Sequence, residues 1–447
     1  MAFQEQDELL IRGVLDELTE EGYWDRLKAK EAQHKAGQSS GSIPSNDKTP
    51  IAASAGSGDV EAIRLAPDYA SAYFACESAY WKKGQYDQAI EDCTELIRLD
   101  ATCAPAYYCR GFTYQFIGQY YEAIEDLTEA IRLTPEDASA YIPRGEAYRM
   151  TGQHDQAFKD YNEAIRLAPD DALSYISRGR AYLEKGQYDQ AFRDYAEAVR
   201  LDPKFYPDRG YAYLDTGQYD LAIKDFTEAV RLEPTSARAY ISRGDAYLKT
   251  GQYDEAIRDY TEAVGLAPTS AYTYISRGDA YLKTDQYDEA IRDYTEAIRI
   301  APTSALAYIS RGKAYLKAGQ YDEAIKDYTE AVRLDPKFYP DRGNVYLETG
   351  HNDEAIKDYT EAIRLDPIAA YVYYCRGDVY QRTGQYDLAI EDYTEAIRLD
   401  PTFAFAYSCR GTVYLQLGKK ELAIQDFENA LSIDPDDELA KSEVLLC

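Results

Sequence analysis

Apolar residues along positions 271–304, AYTYISRGDAYLKTDQYDEAIRDYTEAIRIAPTS, recur at intervals of three and four. Over 271–284, Tyr274, Gly278 and Tyr281 share one helical face, and over 288–301 so do Ala290, Tyr294, Ala297 and Ile298. Asp285 lies between the two stretches, where other copies of the pattern carry Gly84, Gly118, Gly152, Gly186, Gly217, Gly251, Gly319, Gly350, Gly384 or Gly418. Glycine there suits the left-handed conformation that ends many helices. Pro302 follows the second stretch and cannot continue it. The pattern predicts two antiparallel helices in every 34 residues.

Eleven such units run from about residue 68 to 435, ending at Ala101, Pro135, Pro169, Pro203, Pro234, Pro268, Pro302, Pro336, Pro367, Pro401 and Pro435. Two of them, 204–234 and 337–367, are shorter by three residues, and both open on KFYPDRG, which points to duplication of a four-unit block. A unit this short cannot bury its apolar face alone, so neighbours must stack into a solenoid whose length measures repeat number rather than domain number. The shortened units are expected to change the local curvature and divide the inner surface into unequal segments. Outside the array, residues 1–35 predict an amphipathic helix through Ile11, Val14, Leu15 and Leu18. Residues 36–58 read as a flexible Gly/Ser-rich linker, 59–67 as a partial repeat, and 436–447 as a closing helix.

The succession aromatic, small, aromatic, Ala, aromatic, Ala, Pro falls on Tyr274, Gly278, Tyr281, Ala290, Tyr294, Ala297 and Pro302. In this the chain resembles the tetratricopeptide repeat (TPR) family over about residues 68–435. The resemblance implies an all-α, right-handed superhelical solenoid of antiparallel helix pairs, with the first helix of each unit lining a concave groove. The inner-facing set would be Tyr272, Ile275, Asp279, Leu282 and Lys283. Its counterparts elsewhere are Phe112 and Phe116, Arg149, Arg180, Arg238, Asp245 with Lys249, Lys313 with Lys317, and Asp378 with Arg382. These positions vary more than the packing columns do, which suits recognition of an extended peptide or helix. Some relatives clamp a C-terminal carboxylate with a Lys–Asn pair; no unit here shows that pair, so this chain is not expected to bind in that way.

One column departs from the family's usual leucine: Arg110, Arg144, Arg178, Arg209, Arg243, Arg277, Arg311, Arg342, Arg376 and Arg410. Each is followed by an aspartate on the partner helix. Arg277 lies eight residues before the turn and Asp293 eight after it, so an antiparallel hairpin sets them level and predicts a bidentate ion pair. The first unit has Cys76 in place of the arginine and retains Asp92. Cys76 and Cys93 are expected to be neighbouring thiols. Cys109, Cys375 and Cys409 stand in the column of Ser276 and read as small packing residues. Pro143 falls inside a predicted first helix and should remove a hydrogen bond or bend that hairpin.

Composition narrows the function. Acidic residues outnumber basic ones 79 to 49, a formal charge of -30, which disfavours a phosphate backbone or an anionic membrane as partner. No stretch reaches the roughly 20 apolar residues of a membrane span, the N-terminus lacks the basic region of a secretory signal, and seven cysteines without a framework suit a reducing compartment. A cytoplasmic location is the expectation. The 45 tyrosines fall mostly in packing columns, and His34, His154 and His351 are too scattered to form a site. Neither metal nor cofactor is expected. The chain therefore reads as a non-enzymatic scaffold whose partners are other proteins or peptides. The alternative is a regulatory or targeting subunit that docks through residues 1–35.

Overall fold

The computed structural model describes residues 86–444. Residues 1–85 lie outside the described residues, and with them the predicted N-terminal helix, linker and partial repeat, Cys76 and Gly84; so do residues 445–447. All elements among the described residues are helical, and none of the helices is long and apolar enough to cross a membrane. The chain divides into two compact units, Met1–Arg209 and Gly210–Cys447.

In the first unit, the single helix Tyr86–Leu99 precedes three hairpins. These pair Ala104–Phe116 with Tyr120–Leu133, Tyr141–Met150 with His154–Leu167, and Ala172–Glu184 with Tyr188–Leu201. The second unit contains Tyr219–Leu232, then Ala237–Lys249 with Tyr253–Leu266, Ala271–Lys283 with Tyr287–Ile300, and Ala305–Lys317 with Tyr321–Leu334. It continues with Tyr339–Glu348 paired with Asn352–Leu365, Ala370–Arg382 with Tyr386–Leu399, and Ala404–Gln416 with Lys420–Ile433. The short helix Glu438–Val444 then packs on the last pair, with Ala440 joining the cluster of Ala423, Phe427 and Ala430.

Local chemistry sets the helix ends. The hydroxyls of Ser236, Ser270 and Ser304 accept from the N–H groups of Ala239, Thr273 and Ala307, which caps three successive first helices. At the other end, the Gln286 N–H donates to the Tyr281 carbonyl at 2.9 Å, as Gln252 does to Tyr247, the six-to-one bond of a Schellman turn. That turn needs a positive φ, which nine glycines from Gly118 to Gly418 supply. Asp285 alone among the described non-glycine residues takes it, at φ 58°. Its carboxylate accepts from the Tyr287 hydroxyl, but both groups are near solvent. Asp285→Gly is therefore expected to stabilise this hairpin by about 0.5–1 kcal/mol. Slower amide exchange in helices 271–300 of the variant would show it.

The three missing residues of the shortened units are taken from the front of the first helix. Pro203–Phe205 and Pro336–Phe338 form single 3-10 turns, held by the carboxylates of Asp202 and Asp335. The α-helix beginning at Tyr339 then runs 10 residues, against 13 for Ala305–Lys317. Pro143 is accommodated in a related way, in place of the broken or bent helix its position suggested. A 3-10 turn at Ala138–Ala140 delays the α-helix to Tyr141, so Pro143 enters the first turn, where an N–H has no intrahelical partner to lose.

Candidate interaction surface

The packing columns close off most of each hairpin. In the hairpin of residues 271–300, Ala290 and Tyr294 are fully buried, together with Ala314 of the following first helix. Gly278 faces the Tyr294 ring so closely that a Cβ there would stand 2.7 Å from Cε1. Tyr274 and Tyr281 flank the Arg277 guanidinium at 5.7 and 6.0 Å from their ring centres. Ala297 is fully buried and Pro302 exposed.

Arg277 donates from Nε and Nη2 to the two carboxylate oxygens of Asp293, both at 2.7 Å. The same fork, at 2.7–2.8 Å, joins Arg110 to Asp126, Arg144 to Asp160 and Arg178 to Asp194 in the first unit. It recurs from Arg243, Arg311, Arg342, Arg376 and Arg410 in the second. The third nitrogen reaches back to the preceding repeat, where Nη1 of Arg277 donates to Thr261 and Nη1 of Arg311 to Thr295. Each such arginine therefore ties three helices together. For Arg277 and Arg311 the threonine lies 16 residues before the arginine, just as the aspartate lies 16 after it, whereas Arg178 reaches Asn162 and Arg342 reaches Thr329, 13 residues earlier.

The first-helix residues expected to line the groove divide into two groups. Phe112, Arg149 and Arg180 are buried instead, so they line no open surface. Arg149 bonds to Glu146 one turn earlier at 2.8 Å and to Glu184 of the next repeat. Burial alone would raise the Glu146 carboxyl, but Arg149 and Arg180 outweigh it and hold the group below the usual carboxylate range. These two arginines neutralise charge inside the stack, a role that helical spacing alone does not reveal. Phe116 is half-buried against the Tyr86 ring. Ile275 and Leu282 pack against the Ala290–Tyr294–Ala314 cluster.

Arg238, Lys249, Tyr272, Lys283, Lys313, Lys317 and Arg382 remain exposed. Arg382 bonds to Asp378 on its own helix at 2.9 Å. Arg238 stacks over Tyr211 and donates to its hydroxyl at 3.0 Å. Asp245 and Asp279 are half-buried, and each accepts a hydroxyl at 2.6 Å, from Tyr260 and Tyr294 respectively. Asp245 also accepts from Tyr272 of the next repeat at 3.0 Å. Burial pushes both carboxyls above their ordinary range, against the opposing pull of these hydroxyls and of nearby lysines.

This tyrosine–acceptor link joins two columns that sequence reasoning had separated, one for packing and one for binding. A signal for it exists in the chain. Tyr161, Tyr260, Tyr294 and Tyr359 donate to Glu146, Asp245, Asp279 and Asn344, each 15 residues earlier, while Tyr393 donates to Gln381, 12 residues earlier, and Tyr328 has Lys313 at the 15-residue position. Where the buried ring or chain lacks a hydroxyl, at Leu127, Phe226 and Phe427, the position 15 residues earlier holds Phe112, Tyr211 and Thr412, none of them a carboxylate or amide.

Cys93, Cys109 and Cys375 are buried. Burial pushes Cys375 and Cys409 up to about 11, with the Tyr371 and Tyr374 hydroxyls opposing it.

A stack of helix pairs with tyrosine, glycine and alanine at fixed positions defines a helical-repeat scaffold. Tetratricopeptide repeat models match residues 78–103, 104–137, 136–204, 208–271, 305–338, 370–403 and 404–437, and a TPR repeat model matches 278–319 and 343–384. The chain belongs to the tetratricopeptide repeat family, whose fold mediates protein–protein interactions. No curated protein sequence matches it significantly. Among solved structures, MamA protein is 31% identical over 37% of this chain and 92% of its own, with a TM-score of 0.35. YrrB, described as a TPR protein with an unusual peptide-binding site, is 22% identical over 41% of this chain and 96% of its own, with a TM-score of 0.35. Yeast Tom70 is 17% identical over 85% of this chain and 95% of its own, with a TM-score of 0.41.

Proposed function

We propose that this protein acts by binding rather than by catalysis, and that the first-helix face of residues 237–416 holds an extended or helical segment of a partner protein. One observation carries this reading. On two adjacent pairs of first helices, Ala271–Lys283 with Ala305–Lys317 and Ala370–Arg382 with Ala404–Gln416, the second residue is a large apolar side chain left in solvent: Tyr272, Leu306 and Tyr371 are each 56% exposed and Phe405 53%. These residues recur in register beside packing columns that are fully buried. Repeated apolar exposure of this kind marks an interaction surface rather than random surface leucines and tyrosines.

Polar replacement of this row should abolish binding while leaving the helices intact, because all four side chains are more than half exposed and Asp245 keeps the Tyr260 hydroxyl when Tyr272 is replaced. In an affinity pull-down read by mass spectrometry, the Tyr272→Ser, Leu306→Ser, Tyr371→Ser, Phe405→Ser variant should recover partner proteins at roughly one tenth of the wild-type level or less, as expected for loss of apolar anchors. Unchanged recovery by a variant with wild-type helicity would refute the assignment of the binding face.

A further inference from the structure

Charge on the second unit is segregated by helix. On Ala237–Lys249, Ala271–Lys283 and Ala305–Lys317 the exposed charged residues are Arg238, Lys249, Lys283, Lys313 and Lys317, all basic. The acids on these helices, Asp245 and Asp279, are half-buried and accept from tyrosine hydroxyls. On the second helices, by contrast, Arg231, Arg299 and Arg333 are paired with glutamates one turn earlier. Lys249, Lys283, Lys313 and Lys317 form no ion pair among the described residues, and three of them, Lys249, Lys283 and Lys317, occupy the same position in consecutive repeats. A chain of formal charge -30 thus presents exposed lysines without ion-pair partners on the face that carries Tyr272 and Leu306, offset only by the half-buried Asp245 and Asp279.

We propose that the first-helix face of residues 237–317 binds an acidic segment of another protein, with carboxylates meeting Lys249, Lys283 and Lys317 and apolar side chains meeting Tyr272 and Leu306. This rests on the reading of that face as the binding surface and adds the chemistry of its partner. Successive first helices adjoin, and packed helices stand roughly 10 Å apart, while an extended chain rises about 3.3 Å per residue. An acidic residue at about every third position of the partner therefore matches the lysine row. Complementary charge across such a surface steers encounter and sets register, and it weakens with salt. A nucleic acid fits less well, because the remainder of the chain repels a continuous phosphate backbone.

The test is fluorescence anisotropy on the full chain with labelled peptides of repeated Glu-Leu-Ser, Gln-Leu-Ser or Lys-Leu-Ser triplets, and with a labelled oligothymidine. The acidic peptide should bind most tightly and weaken as salt is raised. The Lys249→Glu, Lys283→Glu, Lys317→Glu variant should bind it roughly tenfold or more weakly, as expected from three reversed surface charges, and should gain affinity for the basic peptide. Circular dichroism is expected to be unchanged, since all three lysines are exposed.

Equal binding of the acidic and neutral peptides, indifference to the charge reversal, or equally tight binding of the oligothymidine overturns the proposal. If the neutral and acidic peptides bind alike and Tyr272→Ser, Leu306→Ser abolishes both, the binding face stands and only the acidic preference fails. Absence of binding by all three peptides counts against both.

Discussion

Asp293→Ala is expected to destabilise its hairpin by about 3 kcal/mol or more, because it strands the Arg277 guanidinium in a largely desolvated position. The Arg277 and Asp293 side chains are only 14% and 9% exposed, and two of the guanidinium nitrogens have no other acceptor within their fork. Thr261 would still accept from Nη1, and the Tyr274 and Tyr281 rings would still flank the cation, so the arginine remains inside but unneutralised. Replacing both members, as Arg277→Leu, Asp293→Leu, should cost much less, since the charge is then removed together with its need for a partner.

In a repeat array each unit contacts only its neighbours, so the loss should be local. Native-state hydrogen exchange across residues 271–300 is the suitable readout. Equal losses for the single and double variants would show that the pair is effectively solvated.

Tyr294→Ala should cost about 3–5 kcal/mol, the range for truncating a fully buried aromatic side chain. The effect has two parts that separate cleanly. Tyr294→Phe keeps the ring against Gly278, Ala290 and Ala314 but leaves the half-buried Asp279 carboxylate without its hydroxyl. That change should cost about 1–2 kcal/mol, the usual penalty for stranding a partly buried acceptor. Adding Asp279→Thr should return most of the loss, because Phe427 with Thr412 already forms such a combination elsewhere in the chain, the Thr412 hydroxyl being satisfied by the Ser408 carbonyl on its own helix. A thermal or denaturant series in which the double variant is no better than Tyr294→Phe would contradict the link between the two columns. The other replacement at this contact, Gly278→Ala, should cost about 1–3 kcal/mol through overpacking, since the added Cβ meets the ring at 2.7 Å.

The fold was legible at the level of elements because its signals are local and repeated. Spacings of three and four define the helices, a glycine at every described turn but that of Asp285 supplies the positive φ, and a proline follows every described second helix after Tyr86–Leu99. The Arg277–Asp293 fork could be read from the same arithmetic, since equal distances from a turn become equal heights in a hairpin. The candidate surface was legible only in part. Lys249, Lys283, Lys313, Lys317 and Tyr272 face solvent, but Phe112, Arg149 and Arg180, drawn from equivalent positions, are buried. Helical spacing assigns a residue to a face of its own helix, whereas burial depends on what the adjoining repeat places against that face.

The sequence by itself therefore determined the repeat, its helix pairs, its turns and the family, all of which depend on interactions within about 34 residues. Tertiary structure alone decided which first-helix residues remain in water. Glu184 draws Arg149 inward, and Tyr260 and Tyr272 from two repeats converge on Asp245. With the acids turned inward, the lysines are left as the outward charge of that face. The physical reason is that desolvation and charge pairing act between neighbouring units, at contacts that no single repeat contains.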